Sequence, residues 1–169
     1  ITATGVKMDV AKMIARKDAV VKQNNDGILY LLKKNKVSFF HGRGSFVKAV
    51  EGGYEIAVAG EKAETLVGKH IIVATGSNAR ALPGTPFDEK QILSNDGALA
   101  IGDVPKKLGV ICSGVIGLEM GSVWRRLGAE VTVLEAMPTF LAAVDEQVAK
   151  EAQKIFVKQG LNLQLGVKI

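Results

Sequence analysis

The spacing of apolar residues changes twice along the chain. Between Val10 and Lys34 the apolar residues recur at steps of three, four and seven, and Lys and Asn fill the opposite face. This pattern predicts one long amphipathic helix, with Asp9 placed to cap its first turn. The stretch QNNDG is the weakest part of the helix because Asn, Asp and Gly are poor helix formers.

Short apolar runs separated by glycines follow this helix and predict a β-rich section. Gly52 and Gly53 stand between two of the runs, which predicts a hairpin turn at that point. The predicted strands are 37–40, 44–50, 54–60, 65–68 and 70–75.

The second half of the chain follows a different order. Residues 79–107 contain three of the four prolines and a short helical run near 96–100, which is typical of a linker into a second domain. From Lys107 the pattern alternates strand, helix, strand, helix, strand, and this order predicts a parallel sheet with helices packed on it. The predicted fold class is α/β, divided into residues 1–100 and 101–169.

The junction of the first strand and helix of this second part reads CSGVIG, residues 112–117, and Glu135 closes the next strand. Glycines let the backbone approach a pyrophosphate, a helix N-terminus offers free N–H groups, and an acid at this spacing accepts hydrogen bonds from ribose hydroxyls. The motif predicts a dinucleotide site. A strand-to-helix corner without a ligand is the alternative, because glycine also serves such corners.

Glu135 and Cys112 refine this prediction. A carboxylate accepts from a free 2′-hydroxyl and repels a 2′-phosphate, so Glu135 favours NAD over NADP. Cys112 stands where the motif has its first glycine, and a Cβ there is expected to crowd the turn. Three interpretations stay open: a misread residue, a tolerated substitution that weakens NAD affinity, or a reactive thiol at a helix N-terminus.

Composition argues against several other classes of protein. The chain has 169 residues, 47% of them hydrophobic and 23% charged, which is typical of a soluble globular protein, and no apolar run is long enough for a bilayer. The net charge of +5 is spread out, and the cluster at Lys33, Lys34 and Lys36 is interpreted as a solvated helix end. A single cysteine excludes an internal disulfide and favours a reducing compartment, here the cytoplasm. His41 and His70 lack the spacing of metal ligands.

A second segment, HIIVATGSNARALPG at residues 70–84, gains meaning from the motif that follows it. The combination resembles the flavoprotein disulfide reductases, in which an ATG segment ends a strand against FAD, a linker crosses over, and a Gly-rich fingerprint opens the NAD domain. The resemblance covers essentially the whole chain. It implies part of an FAD-binding domain over 1–100, followed by the first half of a Rossmann-type NAD-binding domain over 101–169.

The resemblance also implies roles for matched positions. Thr75, Gly76 and Ser77 match the segment against FAD, and Gly44 matches a glycine near the adenine side of that cofactor. The other implied cofactor positions belong to the fingerprint or follow it. They are Cys112, Ser113, Gly114, Val115, Ile116 and Gly117 in the turn, Glu119 as a partner of a lysine near the flavin, Glu135 at the ribose, and Ile169 near the NAD adenosine.

By the same resemblance, the parent protein oxidises protein-bound dihydrolipoamide and passes electrons through a disulfide and FAD to NAD. Its implied partners are a lipoyl-bearing subunit of a 2-oxo acid dehydrogenase complex and a second copy of itself, with neither nucleic acid nor membrane.

Several of the family's parts are missing from this sequence: the CxxxxC redox pair, the first Gly-rich turn and the His-Glu pair. We therefore expect an internal piece of a longer enzyme, inactive alone. The alternatives are another flavin–nicotinamide reductase, a stand-alone nucleotide-binding module and, weakest, a basic interaction protein.

Overall fold

The computed structural model describes residues 4–169, and its internal contacts divide the chain into two compact units. One unit combines the residues up to Asp18 with Ala79–Ile169, and the other comprises Ala19–Asn78. The boundary proposed between residues 100 and 101 stays a prediction. No helix among residues 4–169 is both long and apolar enough to cross a bilayer.

The long helix forms as predicted. Helix α1 runs over Val10–Lys34 without interruption, so the stretch QNNDG does not break it. Asp9 caps the first turn, because its Oδ1 accepts a hydrogen bond of 3.0 Å from the N–H of Lys12. At the other end, the side-chain amide of Asn35 donates to the carbonyl of Leu31 at 2.8 Å.

Three of the predicted strands build an antiparallel sheet in the unit Ala19–Asn78. They are β1 (Arg43–Val50), β2 (Gly53–Ala59) and β3 (Glu64–Gly68), paired in sequence order. The hairpin between β1 and β2 turns at the predicted place, and Gly52 there has a φ of +76°. A bulge between Phe46 and Lys48 shifts the register of the first pair.

Two predicted strands, 37–40 and 70–75, are wrong. Residues 37–40 and 71–80 have no regular secondary structure, and Ile72 is 91% exposed. An apolar run becomes a strand only when another strand completes its hydrogen-bond ladder. Within residues 4–169 no strand pairs with either segment, so the apolar pattern is present without its partner.

The parallel sheet of the other unit matches the predicted order of elements. The elements are α2 (Asn95–Ala98), β4 (Lys107–Ile111), α3 (Val115–Arg126), β5 (Glu130–Glu135), α4 (Glu146–Lys158) and β6 (Asn162–Leu165). The strands lie in the order β4-β5-β6, all parallel, with β5 in the centre. The last strand, β6, has four residues and ends at Leu165.

The core of this unit lies between β5 and helix α3. Val133 on the central strand is fully buried, and Leu118 and Trp124 of α3 pack in the same cluster. Trp124 also donates from its indole N–H to the carbonyl of Ala98, in α2, at 3.3 Å. The predicted linker is therefore anchored on α3 through its own short helix.

Candidate functional site

The site begins at the corner between β4 and α3. The N–H of Cys112 donates to the carbonyl of Leu134 at 2.8 Å and so continues the pairing of β4 with β5. Gly114 then occupies the N-cap position of α3 with extended backbone. No side chain of the described residues accepts a hydrogen bond from the N–H groups of the first turn. An uncapped N-terminus presents N–H groups and a partial positive charge, which suits an anion.

The two glycines of the corner are needed for different physical reasons. A Cβ on Gly117 would collide with the carbonyl oxygen of Cys112 and lie 3.1 Å from the Cγ1 of Val110, so this glycine lets the helix pack against the strand. A Cβ on Gly114 would meet only the Sγ of Cys112, at 3.4 Å. Gly114 is therefore open towards an approaching group, and the corner fits a pyrophosphate.

Cys112 occupies a backbone conformation that favours glycine. Its φ is +88°, in the left-handed region, and its side chain is exposed. This positive φ is the geometric reason why the position favours glycine. The thiol also lies close to Gly114, since its Sγ is 3.4 Å from the place that a Cβ on Gly114 would take.

Glu135 lies at the mouth of this corner, at the end of β5. Its Oε2 accepts from the N–H of Ser113 at 2.8 Å and from the hydroxyl of Ser113 at 3.0 Å. Its Oε1 accepts from the N–H of Met137 at 2.9 Å. These bonds, led by that of Met137, hold the pKa of the Glu135 carboxyl below its usual value, with a smaller contribution from the Cys112 side chain.

The sequence pointed to Glu135 but not to the groups that hold it. The sequence indicates Ser113 only as part of the fingerprint, and it gives no indication of Met137. The available signal was a hydroxyl side chain at the variable second position of the motif, directly before Gly114. The bond from Met137 is donated by its backbone N–H, so the type of residue at this position does not indicate it.

The remaining fingerprint positions lie on or beyond the same unit's elements. Val115 and Ile116 form the exposed start of α3, and Glu119 is exposed one turn later. Ile169 is half-exposed beyond the end of β6. The structure therefore brings residues 112–117 and Glu135 together, with Glu119 on the adjoining helix turn, whereas nothing links Ile169 to them by a hydrogen bond.

The positions implied for FAD lie in the unit Ala19–Asn78. Gly44 sits in β1 opposite Val58, and a Cβ there would only touch the Cγ2 of Ile56 at an ordinary 3.8 Å. Packing within the described residues therefore does not explain why this residue is glycine. Thr75, Gly76 and Ser77 lie in the exposed irregular segment, where Gly76 has a φ of +73°.

Two cavities elsewhere offer space without the matching chemistry. One, of about 610 Å³, lies along the outer side of α4 and is lined by residues such as Lys150 and Lys154. The other, of about 590 Å³, is formed by residues of the segment 89–102. Neither is lined by a residue of the 112–117 corner or by Glu135.

Comparison with known proteins shows the family to which this chain belongs. The family model described as pyridine nucleotide-disulphide oxidoreductase matches residues 2–169. A dihydrolipoyl dehydrogenase of Cupriavidus necator is 55% identical over all of this chain and 35% of its own length. A mitochondrial dihydrolipoyl dehydrogenase of Pisum sativum is 44% identical over all of this chain and 33% of its own length.

Among solved structures, LpdA from Mycobacterium tuberculosis has the same fold. It superimposes with a TM-score of 0.85 at 24% identity, over 95% of this chain and 36% of that one. The chain spans about a third of the length of the curated relatives it matches. Its sequence over residues 2–169 places it in the pyridine nucleotide-disulphide oxidoreductase family.

Proposed function

We propose that this chain is the part of a longer FAD-dependent oxidoreductase that holds the adenosine diphosphate half of NAD. The observation that carries the proposal is the position of the Glu135 carboxylate at the mouth of an uncapped helix N-terminus, beside the open Gly114. The N–H groups of α3 would bind the pyrophosphate, and Glu135 would accept hydrogen bonds from the adenosine ribose.

The state of Glu135 supports NAD over NADP. Because its pKa is lowered, the carboxyl is ionised at neutral pH. A fixed negative charge would repel a 2′-phosphate, and neither of the next two residues, Ala136 and Met137, is a cation that offsets it.

The FAD positions supply one edge of the second cofactor site. Thr75–Ser77 would lie against FAD, and Gly44 would lie near the adenine side of that cofactor. Val115 and Ile116 would lie between flavin and nicotinamide, and Glu119 would pair with a lysine near the flavin. When bound, the flavin accepts and delivers an electron pair, and the protein supplies binding and orientation. The exposure of these apolar side chains on α3 is consistent with a surface that a cofactor or further chain covers.

We infer that the complete enzyme oxidises protein-bound dihydrolipoamide and reduces NAD, with electrons passing through an enzyme disulfide and FAD. The support is the identity of this chain to proteins named dihydrolipoyl dehydrogenase, together with the fingerprint geometry. The proposed partners are a second copy of the enzyme and a lipoyl-bearing subunit of a 2-oxo acid dehydrogenase complex. The single cysteine favours a reducing compartment, and we propose the cytoplasm.

The test uses the full-length protein that contains this chain. We expect it to be purified with bound FAD, visible by its absorbance, and to reduce NAD but not NADP when dihydrolipoamide is supplied. Absence of flavin would contradict the proposal. Flavin together with reduction of a different disulfide substrate would identify another reductase of the same architecture. NAD binding by the 169 residues alone, measured by calorimetry, together with absence of flavin from the full-length protein, would favour a stand-alone nucleotide-binding module.

A further inference from the structure

Ser113 makes two hydrogen bonds to a single oxygen of Glu135. Its backbone N–H and its hydroxyl both donate to Oε2, at 2.8 and 3.0 Å, and the residue is 2% exposed. We propose that Ser113 is a positioning residue that orients the carboxylate of Glu135 towards the adenosine 2′-hydroxyl of NAD. This inference rests on the proposed function, since it needs Glu135 to be the ribose acid.

The geometry leaves room for the ribose. An ionised carboxylate has about four acceptor sites, and the bonds from Ser113 and Met137 use three of them. Ser113 is buried whereas Glu135 is partly exposed, so the serine hydroxyl approaches the carboxylate from the protein side. Oε1 accepts only the bond from Met137 among the described residues, so one acceptor site would remain for a ligand.

The hydroxyl is the contribution that depends on sequence. The N–H groups of Ser113 and Met137 exist with any side chain at these positions. Only the Ser113 hydroxyl is lost when the residue becomes alanine, and it is the only side-chain oxygen or nitrogen of the described residues that binds Glu135. Among residues 4–169 no lysine or arginine forms an ion pair with Glu135.

The same bond links orientation to ionisation. Hydrogen bonds to the charged form of Glu135 keep the pKa of its carboxyl low, and the Ser113 hydroxyl is one of them. The other titratable group near the carboxyl is the Cys112 thiol, whose contribution to the lowered pKa of Glu135 is smaller. Removing the hydroxyl should raise the pKa of Glu135 towards its usual value. The acid-side loss of NAD affinity should then begin at a higher pH.

The experiment compares two ligands and three variants of the full-length flavoprotein. The dissociation constants of NAD and of its 2′-deoxyadenosine analogue are measured by calorimetry for Ser113→Ala, Glu135→Gln and Ser122→Ala. Ser122 is the matched control, because it is a buried serine of the adjoining helix α3 whose hydroxyl donates to the carbonyl of Glu119 at 3.2 Å and forms no bond to Glu135.

We expect Ser113→Ala to weaken NAD binding about tenfold, as is usual for one hydrogen bond to a charged group. The affinity for the 2′-deoxy analogue should fall less than about twofold, since this ligand lacks the hydroxyl that donates a hydrogen bond to Glu135. Ser122→Ala should leave both constants near those of the unchanged protein. Of the three variants, only Ser113→Ala should begin to lose NAD affinity at a higher pH than the unchanged protein does.

Two results would overturn the inference. Equal weakening of both ligands by Ser113→Ala would show a general structural effect, and unchanged affinity for NAD would show that the hydroxyl does not orient Glu135. In either case a loss caused by Glu135→Gln would leave the proposed function intact. No effect of Glu135→Gln on NAD binding would instead contradict the proposed function itself.

Discussion

The two sheets of this chain differ in how completely they are covered. In the parallel sheet, Val131 and Val133 of the central strand are buried against α3, and both neighbours of that strand are present. In the antiparallel sheet, Val58 is the only buried hydrophobic residue among those described in Ala19–Asn78, whereas Phe46, Tyr54 and Val67 are exposed. Similar apolar patterns therefore give a closed core only where the packing partner is also encoded nearby.

This contrast separates the two cofactor proposals. The dinucleotide corner is complete within a β-α-β unit, because its glycines, its helix and its acid are all supplied by residues 107–135. The FAD positions lie on a sheet with an exposed face and on an irregular segment. They are consistent with a site that needs further chain, and this chain spans about a third of its curated relatives.

The largest expected difference comes from matched substitutions in the two sheets. Val133→Asn places an amide at a fully buried position and should lower the free energy of unfolding by about 3 kcal/mol or more. Val67→Asn, at a residue 66% exposed, should cost less than about 1 kcal/mol. Denaturant unfolding of the 169-residue chain followed by circular dichroism measures both. Equal costs would remove the contrast between the sheets.

A pair of glycines gives the next largest difference. Gly117→Ala forces a Cβ into the carbonyl of Cys112 and should cost about 2 kcal/mol of stability, as overpacking does. Gly44→Ala fits its site in β1 without a clash and should leave stability nearly unchanged. In the full-length protein, Gly44→Ala should nevertheless reduce the amount of bound FAD. A Gly44→Ala variant that retains FAD fully would contradict the role proposed for this glycine.

The sequence predicted most elements and missed those that depend on partners. Helix α1, the hairpin at Gly52 and the strand-helix alternation after Lys107 follow from local spacing and turn residues, which the chain carries itself. The segments 37–40 and 70–75 have the composition of strands, but a ladder needs a second strand and composition does not reveal its absence. At the site, Glu135 was predictable from its spacing, whereas its bonds to Ser113 and Met137 arise only when the corner folds.

Substitution of Cys112, next to the parallel sheet, should have a smaller effect on stability. Cys112→Gly removes a side chain from a left-handed conformation and should stabilise the chain by about 1 kcal/mol, net of the flexibility that glycine adds to the unfolded state. It should also tighten NAD binding in the full-length protein, because the thiol no longer lies close to Gly114.

Cys112→Ala serves as the control for this prediction. It keeps the Cβ and its strain but removes the thiol, so its stability should remain near that of the unchanged chain. If alanine stabilises as much as glycine, the thiol and not the backbone conformation is the source of the cost. Unchanged NAD affinity in Cys112→Gly would count against the crowding of the turn.

The smallest expected effect is on pH dependence. The pKa of Glu135 is lower in the folded chain than its usual value, so this residue contributes stability above the usual pKa of a glutamate. That contribution is lost as pH falls through the lowered folded pKa. Glu135→Gln should therefore flatten the stability curve on the acid side, below about pH 4.5, and leave its slope near pH 7 unchanged. A changed slope near neutral pH would show that another group titrates in its place.

The most direct measurement is the structure of the full-length flavoprotein with NAD bound. We expect the pyrophosphate at the N–H groups of α3 and the carboxylate of Glu135 within hydrogen-bond distance of the adenosine 2′-hydroxyl. An adenosine ribose bound away from Glu135, or a corner in which the Cys112 side chain occupies the pyrophosphate position, would contradict it.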